Sequence, residues 1–274
     1  MSAPTPVSRD AAELALSQPL AVRGGGRWRG LALPVAAIAL WWLLARADLV
    51  NSALLVSPGK VLATAADQIV GGKLWRALGA SLGRELTGFA IGTLSGLLLG
   101  VLLGLSPVFN RLVGPSFNTF KQISLFAWIP LISVWFGLGD TAKVVFLSLA
   151  ALVPVVVNTC DGVRNAPPKL LEVAQVYGYS RWQTFAQVVL PAAAPAIFTG
   201  VYLALIYSWL ATIGAEYLLV AGVGIGNLLI EGSEHFQMDL VIFGMFVVGV
   251  IGWLMNALAR VAERRLARLR GQDQ

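Results

Sequence analysis

Few residues in this sequence can do chemistry, and they do not converge. There is one histidine, His235, and one cysteine, Cys160. A single thiol cannot close an intramolecular disulfide, and the two residues cannot complete a four-ligand zinc site. Cys160 ends an apolar run and reads as a small packed residue. His235 stands alone in an acidic connection. No Ser-His-Asp set, metal cluster or carboxylate pair emerges, so no catalytic, cofactor-binding or metal-binding residue is assigned. Gly222-Val-Gly224-Ile-Gly226 superficially resembles a nucleotide loop but lacks a preceding strand and a later acidic partner. A surface turn is the better reading. No Gly-x-x-x-x-Gly-Lys-Ser/Thr phosphate cradle occurs, so any ATP and Mg belong to another chain.

The elements around these residues are apolar. The 274 residues are 57% hydrophobic and 12% charged, with a mean hydropathy of +0.75, whereas soluble domains carry about 25% charged residues. Lipid must therefore be the solvent for much of the chain. Crossing its hydrocarbon takes about 20 helical residues. Six candidate spans follow: Gly30–Ala45, Leu86–Asn110, Gln122–Gly139, Val144–Cys160, the part of Trp182–Ala215 after Leu190-Pro191, and Leu240–Ala259. Pro58–Arg84 has helical apolar spacing among scattered charges and reads as an extracytoplasmic surface helix. Residues 1–29 read as a mobile cytoplasmic tail, 30–73 as the first span with that surface helix, 74–260 as a core of five spans, and 261–274 as a basic cytoplasmic tail. The fold class expected is an all-α polytopic membrane protein.

Basic residues orient it. The net charge of +6 sits at the ends of apolar runs: Arg9, Arg23, Arg27 and Arg29; Arg111 and Lys121; Arg164, Lys169 and Arg181; and five arginines from Arg260 to Arg270. The connection from Glu216 to Asp239 has no Lys or Arg. The positive-inside rule then places both termini in the cytoplasm. Gly88, Gly92, Gly96, Gly100 and Gly104 recur every four residues in the second span. They form a groove for close helix packing, within the chain or against a moving or dimeric partner.

The most specific pattern lies between the fourth and fifth spans, at residues 165–191. Pro167-Pro168 suits a first helical turn and Gly178 a positive-φ cap. Ser180 with Gln183 suits a capping box, and Leu190-Pro191 marks re-entry into the membrane. Glu172, Ala174, Gly178, Leu190 and Pro191 resemble the "EAA" loop of bacterial binding-protein-dependent importer permeases. Val173 and Tyr179 are bulkier than that pattern usually has. The likeness extends from about Leu74 to Leu269 and is nearest the nitrate, sulfonate and taurine group. Ala127–Gly139, Asn158–Arg164 and Gly178–Gln183 carry it, although Lys121–Phe126 departs from that group's proline-rich run.

The resemblance implies a type-I ABC permease core of six transmembrane helices with cytoplasmic coupling helices, in a bacterial inner membrane. It implies a homodimer, two separate ATPase subunits that bind ATP and Mg, an extracytoplasmic solute-binding protein, and no nucleic acid. The coupling loop would use Glu172, Ala174, Gly178, Ser180, Arg181, Leu190 and Pro191. The solute path is expected on the third and fifth spans, at Trp128, Ser133, Trp135, Ser208, Trp209, Thr212 and Glu216, with Glu216 a gate or packing partner. The cargo expected is a small anion, with aliphatic sulfonate or taurine favoured and nitrate or bicarbonate as alternatives. An ion-coupled secondary transporter is the rival of another class; it requires intramembrane ionisable residues.

Overall fold

The computed structural model describes residues 28–47 and 56–269, and among them every regular element is helical. Most of the expected 1–29 tail and the end of the 261–274 tail lie outside the described residues. The chain divides into two units, residues 1–58 and 59–274. In the first, α1 spans Trp28–Arg46. The Trp41 indole N–H donates to the Val56 carbonyl at 3.1 Å, and the Arg46 guanidinium lies 4.9 Å over the Trp42 ring.

The second unit is built on three long helices: α3 (Lys73–Leu105), α6 (Asp140–Arg164) and α9 (Leu190–Leu218). Around them lie α2 (Pro58–Val70), α4 (Pro107–Phe120), α5 (Ile129–Phe136), α7 (Pro168–Val176), α8 (Arg181–Thr184), α10 (Ile225–Glu234) and α11 (Met238–Leu269). The central layer is α6. On one side it fills the glycine groove of α3: a Cβ on Gly88 would sit 2.6 Å from Leu147 Cβ, and one on Gly96 2.9 Å from Val155 Cβ. Gly100 faces Thr159 and Gly104 faces Val163 in the same way, while Gly92 rests on the Ser148 carbonyl. On its other side α6 meets α9, where Gly200 and Gly162 admit the backbones at Pro154 and Ala193. Ala151, Val155 and Ala204 form a buried seam common to all three helices. Such close approach suits lipid, where dispersion rather than water exclusion drives association.

Four expected boundaries are corrected. The surface helix ends at Val70, because Gly71-Gly72 interrupts it and Gly72 takes φ +73°. A new helix then starts at Lys73 and carries Arg84 and Glu85 into the second span, which stops at Ser106, before Pro107. The third span is not a helix over Gln122–Gly139: α4 and the segment Leu125–Phe136 meet at 94° across residues 121–124. Finally, Leu190-Pro191 does not divide Trp182–Ala215. Helix continues from Arg181 to Leu218, and a π turn over Phe185–Val189 absorbs the proline. Proline cannot donate to the preceding turn and crowds its carbonyl, and a wider turn relieves both.

Four helices are long and apolar enough to cross a membrane, and a fifth span results if the bent pair counts as one. The apolar part of α1, Leu33–Arg46, is shorter than a full crossing. The described residues therefore give four or five spans with one short apolar helix, against the six expected.

Candidate functional site

The loop after α6 is a rigid bend. Pro168 opens α7, whose first amide bonds return to the Pro167 carbonyl. At the other end, Gly178 has φ +70°. Its N–H bonds to the Gln175 carbonyl and the Tyr179 N–H to the Ala174 carbonyl, each at 3.0 Å, the paired bonds of a left-handed glycine cap. Two residues on, Gln183 N–H donates to Ser180 Oγ at 3.3 Å while Ser180 N–H donates to Gln183 Oε1 at 2.8 Å. The cap ends one helix and the capping box starts the next, so little slack remains between them.

Ala174 is buried and lines a groove with Pro191. The rest of the bend faces outward: Val176, Tyr177 and Trp182 are 86%, 76% and 72% exposed. Glu172 and Arg181 are exposed and form no ion pair among the described residues. Tyr177 packs on Tyr179 and Trp182 on Phe185, with ring centroids 6.4 and 5.7 Å apart. Stiff aromatic surface of this kind is enriched where a partner docks.

The opposite end of α9 carries charge. Glu216 is buried and accepts from the Arg84 guanidinium, from Ser81 Oγ at 2.6 Å and from the Gly226 N–H at 2.8 Å. Arg84 also donates to Asp140 Oδ1 at 2.7 Å and to the Val223 carbonyl at 2.6 Å. Lys143, fully buried, donates to the Ala221 carbonyl at 2.6 Å. The Gly222-Val-Gly224-Ile-Gly226 run is thus explained without a nucleotide: a Cβ on Gly224 would sit 2.5 Å from the Glu216 carboxylate carbon. Nearer the middle of α9, Ser208 and Thr212 donate to the buried Glu85 carboxylate at 2.6 and 2.7 Å.

Arg84, Glu85, Lys143 and Asp140 escaped sequence reading because a charge ended each apolar run. The available signal was that Arg84-Glu85 lies within helical reach of the glycine ladder at Gly88. A charge in hydrocarbon is costly, about 2.5–3.5 kcal/mol on insertion scales, unless it finds partners. Here Arg84 and Glu216 neutralise each other.

Between the two ends, a cavity of about 520 Å³ opens beside α6 and α9, under the bend from Phe120 to Trp128. Trp128 lines it, but the other residues expected on the solute path do not. Ser133 bonds back to the Pro130 carbonyl in its own helix, and Trp135 is exposed. Ser208 and Thr212 turn to Glu85, Trp209 packs over Gly252, and Glu216 holds Arg84. The structure therefore separates the seven into one cavity residue, two on α5 and four on α9 engaged with neighbouring helices. Cys160 is buried beside Val156, and the His235 ring lies 2.8 Å from the Glu231 carbonyl.

Residues 92–270 match the family described as "Binding-protein-dependent transport system inner membrane component". The chain is 38% identical over 232 residues to the putative aliphatic sulfonates transport permease protein SsuC of Escherichia coli (strain K12), covering 85% of this chain and 88% of that one. It is 31% identical over 242 residues to the taurine transport system permease protein TauC of the same strain, covering 86% and 88%. With the nitrate import permease protein NrtB of Leptolyngbya laminosa it shares 35% over 195 residues, covering 71% and 69%. The fold matches a chain of the MetNI methionine ABC transporter in an inward-facing conformation, with TM-score 0.61, 21% identity, and 70% of this chain and 95% of that chain covered.

Proposed function

The chain belongs to the binding-protein-dependent transport inner-membrane component family, and from that premise we propose that it is the membrane-spanning subunit of an ATP-driven importer. Two copies pair, two separate ATPase subunits dock on their coupling loops, and an extracytoplasmic binding protein delivers the solute. Both termini lie in the cytoplasm, as the basic clusters around the tails and the α6–α9 loop favour. The cargo is a small anion, with aliphatic sulfonate or taurine favoured by the relatives, and nitrate or bicarbonate the alternative that other relatives carry in their names.

One observation carries the reading. The exposed aromatic bend at Tyr177–Trp182 is fixed by a glycine cap and a capping box, and it leads without interruption into a spanning helix. A partner that moves the bend moves α9, and with it the wall of the cavity. Glu172, Ala174, Gly178, Ser180, Arg181, Leu190 and Pro191 supply the docking and the stiffness. ATP and Mg are bound by the docked subunit.

The test is co-expression with a candidate ATPase subunit from the same organism. Co-purification of the two chains and ATP-dependent uptake of labelled taurine or nitrate into vesicles are the expected outcome. Uptake that follows a proton or sodium gradient, with no ATP requirement, overturns it.

A further inference from the structure

We infer that the cavity under the Phe120–Trp128 bend is itself a charge filter, admitting small anions and rejecting cations, with Lys121 as the residue that sets its sign. The inference rests on the importer reading and adds to it: the membrane subunit, and not the binding protein alone, discriminates its cargo.

Among the described residues, Lys121 is the one charged side chain of the cavity lining, and no carboxylate joins it there. It caps α4 where the chain leaves the helix for the 94° bend. This fixes the backbone at the cavity rim and leaves the side chain exposed. It forms no ion pair among the described residues. A smaller neighbouring pocket that Lys121 also borders is lined by one acidic and one further basic residue, Asp161 and Arg164.

Neutral side chains of the wall add donors to that charge. Ser124, Trp128 and Tyr207 line the cavity, and their O–H and N–H donors have no hydrogen-bond acceptor among the described residues. Asn158 Nδ2 is already engaged, donating to the Pro154 carbonyl one turn earlier in α6 at 2.8 Å, and Gln122 adds a further neutral amide to the lining. Unspent donors around one unpaired cation complement the acceptor-only surface of an oxyanion, which charge-assisted hydrogen bonds favour. The other walls are apolar, among them Phe120, packed 5.1 Å from Trp128, and Leu149. A single cation among apolar walls attracts an anion without trapping it, as passage requires.

The experiment uses the purified full chain in a zwitterionic detergent at low ionic strength and needs no partner. Trp128 emission is isolated as the difference between the wild type and W128F, and quenched with iodide, caesium and neutral acrylamide. A unit charge roughly 6 Å away in a water-like medium enriches an anion about threefold and depletes a cation about as much. Iodide should therefore quench Trp128 about tenfold more effectively than caesium, after correction for their free-solution efficiencies with acetyl-tryptophanamide. K121Q should bring the two together and K121E should invert them, while acrylamide quenching stays unchanged and reports an intact cavity. Methanesulfonate should protect Trp128 from iodide in the wild type and not in K121Q, and tetramethylammonium should protect in neither. Equal quenching by iodide and caesium in the wild type, an unaltered ratio in K121Q, or a Trp128 that acrylamide cannot reach overturns the inference. Those outcomes leave ATP-dependent uptake untouched, and loss of ATP dependence would leave the quenching ratio untouched.

Discussion

Arg84 of α3 and Glu216 of α9, 132 residues apart, meet as a buried ion pair that also secures the loop leading to α10. Each is charged in an apolar setting, so each depends on the other. Removing one partner from such a pair costs about 3–5 kcal/mol, whereas replacing both by apolar groups is often neutral. R84M and E216L should each lower the thermal unfolding midpoint in detergent sharply, and R84M/E216L should recover most of the loss. A double variant as unstable as the sum of the two single ones would show that the residues do not act as a pair.

Glu85 presents the converse case. Its carboxylate depends on Ser208 and Thr212, but those hydroxyls also bond to the Ala204 and Ser208 carbonyls at 2.8 and 3.0 Å. The donors therefore survive without Glu85 better than Glu85 survives without them. S208A/T212V should cost about 2–4 kcal/mol, since a buried acceptor is left unsatisfied. E85L should cost less, and S208A/T212V/E85L should be more stable than S208A/T212V. Denaturation by heat or by a titrated detergent orders the three.

The glycines of α3 divide by environment. A Cβ at Gly96 would lie 2.9 Å from Val155 and 3.1 Å from the Leu152 carbonyl, while one at Gly83 would meet nothing within 4 Å. G96L should abolish the folded, monodisperse fraction seen by size-exclusion chromatography. G83A should be neutral or stabilising by up to about 1 kcal/mol, the helix preference of alanine over glycine.

At Gly178, positive φ makes a β-branched residue strained by about 1–2 kcal/mol. G178V should insert into the membrane normally and lose roughly fivefold or more of uptake, the factor that strain of this size produces in a two-state balance. Normal uptake together with normal ATPase co-purification in G178V would remove the bend from any role in coupling.

Much of this was legible because local rules and lipid as solvent agree. Gly178, Ser180 and Gln183 announce a cap and a box through residue type and spacing alone, and the apolar runs announce helices. The bend at Lys121–Ser124 carries no such signal: it contains neither glycine nor proline, so a straight span beginning at Gln122 is the natural reading. Pro191 misled in the opposite direction, because a proline stops a helix only where the turn before it cannot widen. Arg84 reads as the end of the surface helix and Lys143 as a charge beside a span, since a single charge in a sequence gives no hint of a partner brought to it by folding. Glu216 was singled out, but its role needed Arg84, Ser81 and the glycines that clear space around it.

The π turn at Phe185–Val189 has one more consequence, for the phase of α9. A π turn accommodates one residue beyond what an α turn holds, so the helix on either side keeps the facing it would have without that residue. Loss of one residue within 185–189 would leave Ser208, Thr212 and Glu216 aimed at α3. The same loss at 196–200 would rotate them by about 100° away from it. Between the bend and the charged end, the chain therefore has one short stretch tolerant of a change in length, and it lies next to the proline that made the wider turn necessary.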